Sequence, residues 1–528
     1  GYTDTWAQYG STVKGWDVAL SLDYLRHDGD NSRIVDSDLQ TTLDGALGTT
    51  VSYAPGPLET DDRIHDLHLR LSNENWSLRL WKWGQDDGGE GAGTGQILDP
   101  AGNENSDYYL ADLAYSKPDI RQDLDVDFRL SSRYMDQDNH LVIFPPGAVL
   151  PIGADGNVDF AAPVGLTRFS DGFIGIPGDR EWVENIDLAF TYSGFAGHGL
   201  RLGGGYEYSQ VDTRERKNFG PGVLDVRPLP PVQGGTLTDV SDTPYVFIQD
   251  TDRNNWHLLL QDEWRLAERW ELTAGIRYDE YSDFGSAVNP RLALVWETRP
   301  ELTTKLLYGR AFRAPAFGEL YFTNNPLTNG NSELQPETID TVELACSYQP
   351  ARTLTTSLSL FTYTIDGLIE FVQDPGQTSK TAQNALDQEG RGFELEATWL
   401  LSETLRASGN FAYQHAENQD TGATVPDAPA MTSYANLHWT FLPDWSVDGQ
   451  YYWTGGRERA VGDPRSEIKD NDLVNLTLRR EHLFANGEVA LAVRNLFDEN
   501  VREPSTVVIP NDYPMEERSF WVEFRWRL

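Results

Sequence analysis

The sequence predicts an all-β protein, a transmembrane antiparallel β-barrel of the 22-stranded type. Three observations carry that expectation. Apolar and polar side chains alternate with a period of two in segment after segment, aromatic residues are abundant although no long apolar run exists, and long connections alternate with short ones.

The alternation is plainest at the C-terminus, where Phe520, Val522, Phe524, Trp526 and Leu528 interleave with Ser519, Trp521, Glu523, Arg525 and Arg527. Successive side chains of a strand point to opposite faces, so this strand has one greasy and one charged side, as a wall between lipid and water requires. One such strand decides little, because a half-buried strand of a soluble sandwich alternates in the same way. Its recurrence is the stronger signal. Trp270, Leu272, Ala274, Ile276 and Tyr278 alternate with Glu271, Thr273, Gly275, Arg277 and Asp279. Phe393, Leu395, Ala397 and Trp399 alternate with Glu394, Glu396 and Thr398, and Ala435, Leu437, Trp439 and Phe441 face away from Asn436, His438 and Thr440.

With 528 residues and a mean hydropathy of −0.50, the chain has no apolar run near the ~18 residues a spanning helix needs. A barrel spreads its apolar residues over one face of many short strands, so low average hydropathy is compatible with lipid. Aromatic residues make up 12% of the chain, with 16 Trp and 23 Tyr, which suits girdles at both membrane interfaces. The competing reading is a large secreted all-β protein. The lone Cys346 excludes an internal disulfide, and no Cys/His spacing suits zinc. A net charge of −40 argues against nucleic acid, and against anionic surfaces without bridging cations. No signal peptide precedes Gly1, so the chain reads as a processed product or a fragment.

In chain order, strands are expected near residues 15–27, 63–73, 75–84, 106–116, 122–135, 181–193, 199–212, 253–265, 268–282 and 287–297. Ten more follow near 302–313, 337–349, 353–372, 389–401, 404–417, 429–441, 444–456, 468–480, 486–497 and 516–528. Tight turns such as 72–75, 194–199, 267–269 and 442–444 alternate with connections rich in Gly, Pro, Asp and Asn near 28–62, 85–105, 136–180, 213–252 and 314–336. Outer-membrane barrels have this asymmetry, with short periplasmic turns and long extracellular loops. If the chain ends on a downward strand, residues 15–27 run upward and residues 1–10 downward. The total is then odd, whereas single-chain bacterial barrels have even counts, so a further strand is expected upstream of Gly1.

At 308–321 the chain reads Tyr-Gly-Arg-Ala-Phe-Arg-Ala-Pro-Ala-Phe-Gly-Glu-Leu-Tyr, followed by Asn331-Ser-Glu-Leu-Gln-Pro-Glu-Thr338. This resembles the FRAP and LxPE signature of TonB-dependent outer-membrane receptors. Val493-Arg-Asn-Leu-Phe-Asp-Glu-Asn500 is similar to the family's penultimate strand and its exit, and Arg518 to Leu528 to its closing strand. The resemblance covers residues 1–528 and implies a barrel in the outer membrane of a Gram-negative bacterium. Family members also carry an N-terminal plug and a TonB-contacting box; neither is recognisable in these residues, so both are expected to be cleaved or encoded elsewhere.

The same resemblance implies energised import of a nutrient too large for porins, through a plug that engages a TonB/ExbB/ExbD complex. A ferric siderophore is the expected small-molecule cargo, and the surroundings are outer-membrane lipid and lipopolysaccharide. Cobalamin, haem, another metal complex or an oligosaccharide would also suit the barrel, because loops decide cargo. No His occurs between Phe312 and Tyr348, which weighs against haem. A passive large-pore channel and a surface adhesin or scaffold are the rival classes. No nucleophile elbow, P-loop or zincin motif occurs, so neither catalysis nor a required cofactor is expected.

Candidate ligand contacts at the extracellular mouth are Tyr108, Trp182, Tyr245, Tyr321 and Phe322, whose rings offer binding area at low entropic cost, together with Arg313. Arg310 and Arg313 also have a structural reading as partners of lumen carboxylates, with Pro315 and Pro336 fixing the backbone. Arg277, Glu394, Glu396 and Arg525 are expected in the lumen, holding the plug. Asp28, Asp30, Asp36 and Asp38 form an oxygen-rich stretch that suits Ca²⁺ in a loop; a solvated acidic loop is the simpler alternative. His65 and His438 are expected to be packed or hydrogen-bonded within strands rather than to bind metal.

Overall fold

The computed structural model describes residues 1–376, 379–484 and 486–528. One sheet of 23 strands dominates it, of which Thr238–Asp239 and Thr328–Asn329 are two-residue additions in loops. The other strands form a barrel wall in which each long strand runs antiparallel to its neighbour in sequence. The wall begins with Tyr2–Val13 and Trp16–Asp28 and ends with Gly487–Arg494 and Ser519–Trp526. Every expected strand is present, and several are longer than the sequence pattern indicated. Asn103–Arg121, Leu124–Phe144, Phe173–Tyr192 and His198–Lys217 contain 19, 21, 20 and 20 residues. Their apolar face ends at the membrane boundary while the ladder continues, so the connection expected over 136–180 shrinks to 145–172.

Cross-strand register shows which face meets lipid. Phe190 lies opposite Leu202, Leu202 opposite Leu260, and Leu260 opposite Ile276, all four exposed, so an apolar row runs around the outside of the wall. From Trp182 to Tyr192 the strand climbs ~33 Å at ~3.3 Å per residue, which becomes ~25 Å of membrane thickness at a tilt of ~40°. Aromatic girdles mark both limits. Trp270 stacks on its cross-strand partner Trp296 at 4.9 Å near the short turns. Tyr109, Tyr134 and Trp182 form the other girdle across three strands, with centroid separations of 6.1 and 5.1 Å.

The first and last strands are the two edges of the wall. Among the described residues no backbone ladder joins them. On the inner face Tyr2 meets Trp521 edge-on at 4.3 Å and Arg525 lies 5.6 Å from the Trp6 ring, beside a polar gap of about 1120 Å³.

The largest hydrophobic core lies above the wall. Leu43, Ile97, Phe144, Leu150, Ile152, Phe169, Phe173, Phe219 and Leu224 form one cluster drawn from four long connections. Instead of the irregular structure expected there, a helix (Leu39–Leu47) and a small sheet of Val149–Ile152, Gly165–Phe169 and Val232–Gln233 build a folded lobe. Phe173 stacks on Phe219 at 3.8 Å. Full burial of each such side chain contributes ~1.5–3 kcal/mol relative to exposure, so the connections pack into a cap.

Candidate ligand-binding site

The strand Leu302–Arg313 stays on its ladder with Glu337–Ala351 up to the Arg313 to Glu337 pair, then reaches Pro315, whose missing N–H suits the exit. Arg313 donates to Glu337 at 2.6 and 2.7 Å and to Glu319 at 2.9 and 3.0 Å, joining the strand end to the short helix Phe317–Tyr321. Glu319 also accepts the Ala316 N–H at 2.8 Å, and Glu337 accepts the Ile369 N–H at 2.7 Å. Arg310 grips Asp340 through Nε and Nη2. Both arginines are thus fixed by carboxylates, and their immediate task is to position the segment that follows.

That segment places Phe317, Phe322 and Leu327 against the inner face of Phe173–Tyr192 and His198–Lys217, around a cavity of about 410 Å³. Leu141, Ile143, Phe219, Phe247 and Ile248 supply further apolar lining, and Asp179, Glu181 and Glu215 the charge. Phe247 lies 6.3 Å from Phe322, and Thr323 N–H donates to the Phe247 carbonyl at 2.8 Å.

Two of the three carboxylates have cation partners. Glu181 pairs with Arg133 at 2.8 Å, and Glu215 with the fully buried Lys217 at 3.1 Å. Burial raises the Glu215 carboxyl and lowers the Lys217 ammonium from their ordinary values, and their mutual attraction opposes both shifts. The Asp179 carboxylate has neither an ion pair nor a hydrogen bond among the described residues. It lies on the extracellular extension of its strand, beyond the girdle residue Trp182. Burial, followed by the neighbouring Glu181 charge, pushes it up to about 6. The nearest arginine, Arg214, pairs across the ladder with Gly178, faces the other side of the sheet and is held there by Asp136 and Asp138.

Of the residues expected at the mouth, Phe322 lines the cavity, whereas Arg313 and Tyr321 lie beside it on the segment that carries Phe322. Tyr321 donates to Asp283 at 3.4 Å. Tyr245 is nearby, its carbonyl accepting from Lys217 at 2.9 Å and its ring exposed. Tyr108 lies on the lumen face, 4.6 Å from Trp81. Trp182 is a correction: it shares the outward face with Ile186, Leu188 and Phe190 and contacts Tyr134, so it is a girdle residue rather than a ligand contact. Phe247, Phe317 and Asp179 escaped the sequence reading. Asp179 fell within an expected loop, although the parity of Glu181 and Val183 on the same strand carried the signal of its inward direction.

Arg277, Glu394, Glu396 and Arg525 lie on the face of their strands opposite the apolar belt. Arg277 chelates its strand neighbour Asp279 at 2.7 and 2.9 Å, and Arg525 bonds Glu523 at 2.5 Å. Glu396 accepts from Ser357 at 3.3 Å, and neither it nor Glu394 has an ion pair among the described residues. The four loop aspartates expected to suit Ca²⁺ are split between separate partners. Asp28 pairs with Arg26 at 2.7 Å, Asp30 accepts the Ser32 N–H at 3.0 Å, Asp36 accepts from Asn511 at 2.8 Å, and Asp38 caps the helix Leu39–Leu47. Among the described residues no three His, Cys, Asp or Glu side chains converge as a metal site. His438 bonds Asp448 at 2.8 Å, and His65 lies 3.0 Å from the Lys82 ammonium.

A family model described as TonB dependent receptor-like, beta-barrel matches residues 2–496. The chain belongs to this family. The iron-regulated outer membrane virulence protein of Vibrio cholerae serotype O1 is 30% identical over 203 residues, covering 35% of this chain and 31% of that protein. The vitamin B12 transporter BtuB of the same species is 32% identical over 291 residues, covering 53% and 43%. In fold, the siderophore receptor PirA from Acinetobacter baumannii superposes with a TM-score of 0.69 at 15% identity, over 99% of this chain and 77% of that one. The chain spans roughly a third to under half of the length of these two curated relatives. As a TonB-dependent receptor barrel with an apolar outer belt, it resides in the outer membrane of a Gram-negative bacterium.

Proposed function

We propose that this barrel is the membrane body of a TonB-coupled importer and that its cargo is a ferric siderophore or similar iron complex. The observation that carries the reading is the aromatic and carboxylate-lined cavity under the loops, held by a motif segment braced on the wall. A passive pore has no use for such a recognition surface at its mouth. The iron-regulated relative and the fold likeness to a siderophore receptor support the choice of iron. Coupling to TonB/ExbB/ExbD would run through a plug resting on Glu394, Glu396, Arg277 and Arg525, and one further strand would fill the seam. The longer match to a vitamin B12 transporter favours cobalamin as the second reading.

Uptake of radiolabelled ferric complexes and of labelled cobalamin tests this, with the complete receptor expressed in cells lacking their own receptors, with and without TonB. TonB-dependent iron accumulation is expected. Accumulation of cobalamin alone would move the reading to the second cargo, and uptake indifferent to TonB would refute the importer.

A further inference from the structure

We infer that the cavity between the 317–327 segment and the inner wall binds an organic ammonium group, so that the cargo admitted at this mouth carries a positive charge. The inference rests on the importer reading and adds a cargo class to it. Asp179 is a half-buried carboxylate aimed into an apolar space, with no cation of its own among the described residues. The other two lining carboxylates are neutralised by Arg133 and Lys217, which leaves one uncompensated negative charge. Aromatic faces surround the same space, and a ring face attracts cations through its quadrupole, most strongly where water is excluded. Two rings lining this cavity already do so: Arg253 lies 4.5 Å from the Phe317 centroid, held by Asp283 and the Pro315 carbonyl, and Lys217 lies 5.8 Å from that of Phe219. Phe247 and Phe322 have no cation over their faces among the described residues.

A carboxylate and two rings, all lacking a cation and lining a cavity of about 410 Å³, are complementary to a protonated amine or a quaternary ammonium on a small apolar stem. A multiply anionic ferric complex would instead meet like charge at Asp179, in a protein whose net charge is already −40.

The test compares two ferric trihydroxamates that differ in one group, a free terminal ammonium or its N-acetyl derivative, by titration of the complete receptor in detergent. Benzyltrimethylammonium alone serves as a third ligand. The wild type should prefer the ammonium complex by roughly tenfold or more. That preference should fall to near unity in Asp179→Asn, and Phe322→Leu should weaken it while barrel mobility on gels stays unchanged. Equal binding of the two complexes, or an undiminished preference in Asp179→Asn, overturns the inference and leaves the siderophore reading standing. If neither complex binds, trihydroxamates are excluded as the cargo, the uptake test decides the siderophore reading, and the simple ammonium decides the inference: binding sensitive to both substitutions sustains it, and absence of binding overturns it.

Discussion

Replacing Asp38 by Ala removes a helix cap and a clasp between two connections in a single step. One oxygen of Asp38 accepts the Thr41 N–H and the Thr41 and Ser52 hydroxyls, each at 2.8 Å, and the other accepts the Leu98 N–H at 3.1 Å. Loss of an N-cap costs ~1 kcal/mol, and leaving the buried Leu98 N–H unpaired costs ~1–3 kcal/mol, so the lobe should lose about 2–4 kcal/mol. At 1.36 kcal/mol per factor of ten, amide protection in the lobe should fall roughly 30- to 1000-fold. No hydrogen bond of the wall involves Asp38, so strands such as Trp270–Tyr281 should keep their protection. Hydrogen exchange read by mass spectrometry on the protein in lipid discs separates peptides covering 39–52 and 90–100 from those of the wall. Asp38→Asn, which keeps one acceptor oxygen, should restore the cap, ~1 kcal/mol, and leave the Leu98 N–H facing an amide donor, so most of the loss should remain. Unchanged exchange at 39–52, or loss spreading into the wall, would refute the view of the lobe as a separately packed cap.

Further outcomes follow from the site and the wall. Arg313→Met should strip Glu319 and Glu337 of their shared cation, at about 1–3 kcal/mol, and release the 317–327 segment; protease cutting within 317–327 should rise while heat-modified gel mobility stays the same, and unaltered cutting would refute the bracing role. Asp179 binds its proton more tightly folded than unfolded, so it contributes stability at pH below ~4 that is lost as the pH rises through about 6. Glu181, Asp136 and Asp138 act in the same direction and Arg214 opposes them. Asp179→Asn should therefore raise the thermal midpoint of the unliganded protein at pH 8 and leave it unchanged at pH 4; a shift of equal size at both would count against the burial argument. Trp182→Ala should leave ligand affinity untouched and lower the urea midpoint of the folded barrel, and a change in affinity would return Trp182 to the binding site.

The wall was legible because a membrane imposes its two-sided solvent on every strand. The strand expected at 302–313 coincides with Leu302–Arg313, and that at 429–441 differs from Pro429–Leu442 by one residue. Where strands rise above the lipid the constraint ends, which is why the stretches 136–144 and 173–180 read as loop. The cap was hidden for a different reason. Phe144, Leu150, Phe169 and Phe219 meet across dozens of residues without any periodicity, and only the tertiary fold brings them together. Arg313, Tyr321 and Phe322 were singled out through a motif and the residue after it, whereas Phe247 and Asp179 come from segments without one. Trp182 was decidable by parity, since even-numbered residues from 182 to 192 share one face. Asp38 was decidable too: an Asp three residues before Thr41 at the start of an amphipathic run is a capping pattern.

The shared core of the cap has a mechanical consequence. Because four connections contribute to it, none can swing aside alone without baring faces of Phe169, Phe173 or Phe219 to water, at ~25 cal/mol for each Å² exposed. The segment 314–336 has a small cluster of its own, Leu320, Leu334, Ile369 and Ala382, and meets the connection 213–252 through the Thr323 N–H and the Asn324 amide, which donate to the carbonyls of Phe247, Pro244 and Val246. The entrance therefore has a fixed lintel and a jamb pinned to it by a few hydrogen bonds, and widening it for a passing solute costs least on the side of the jamb.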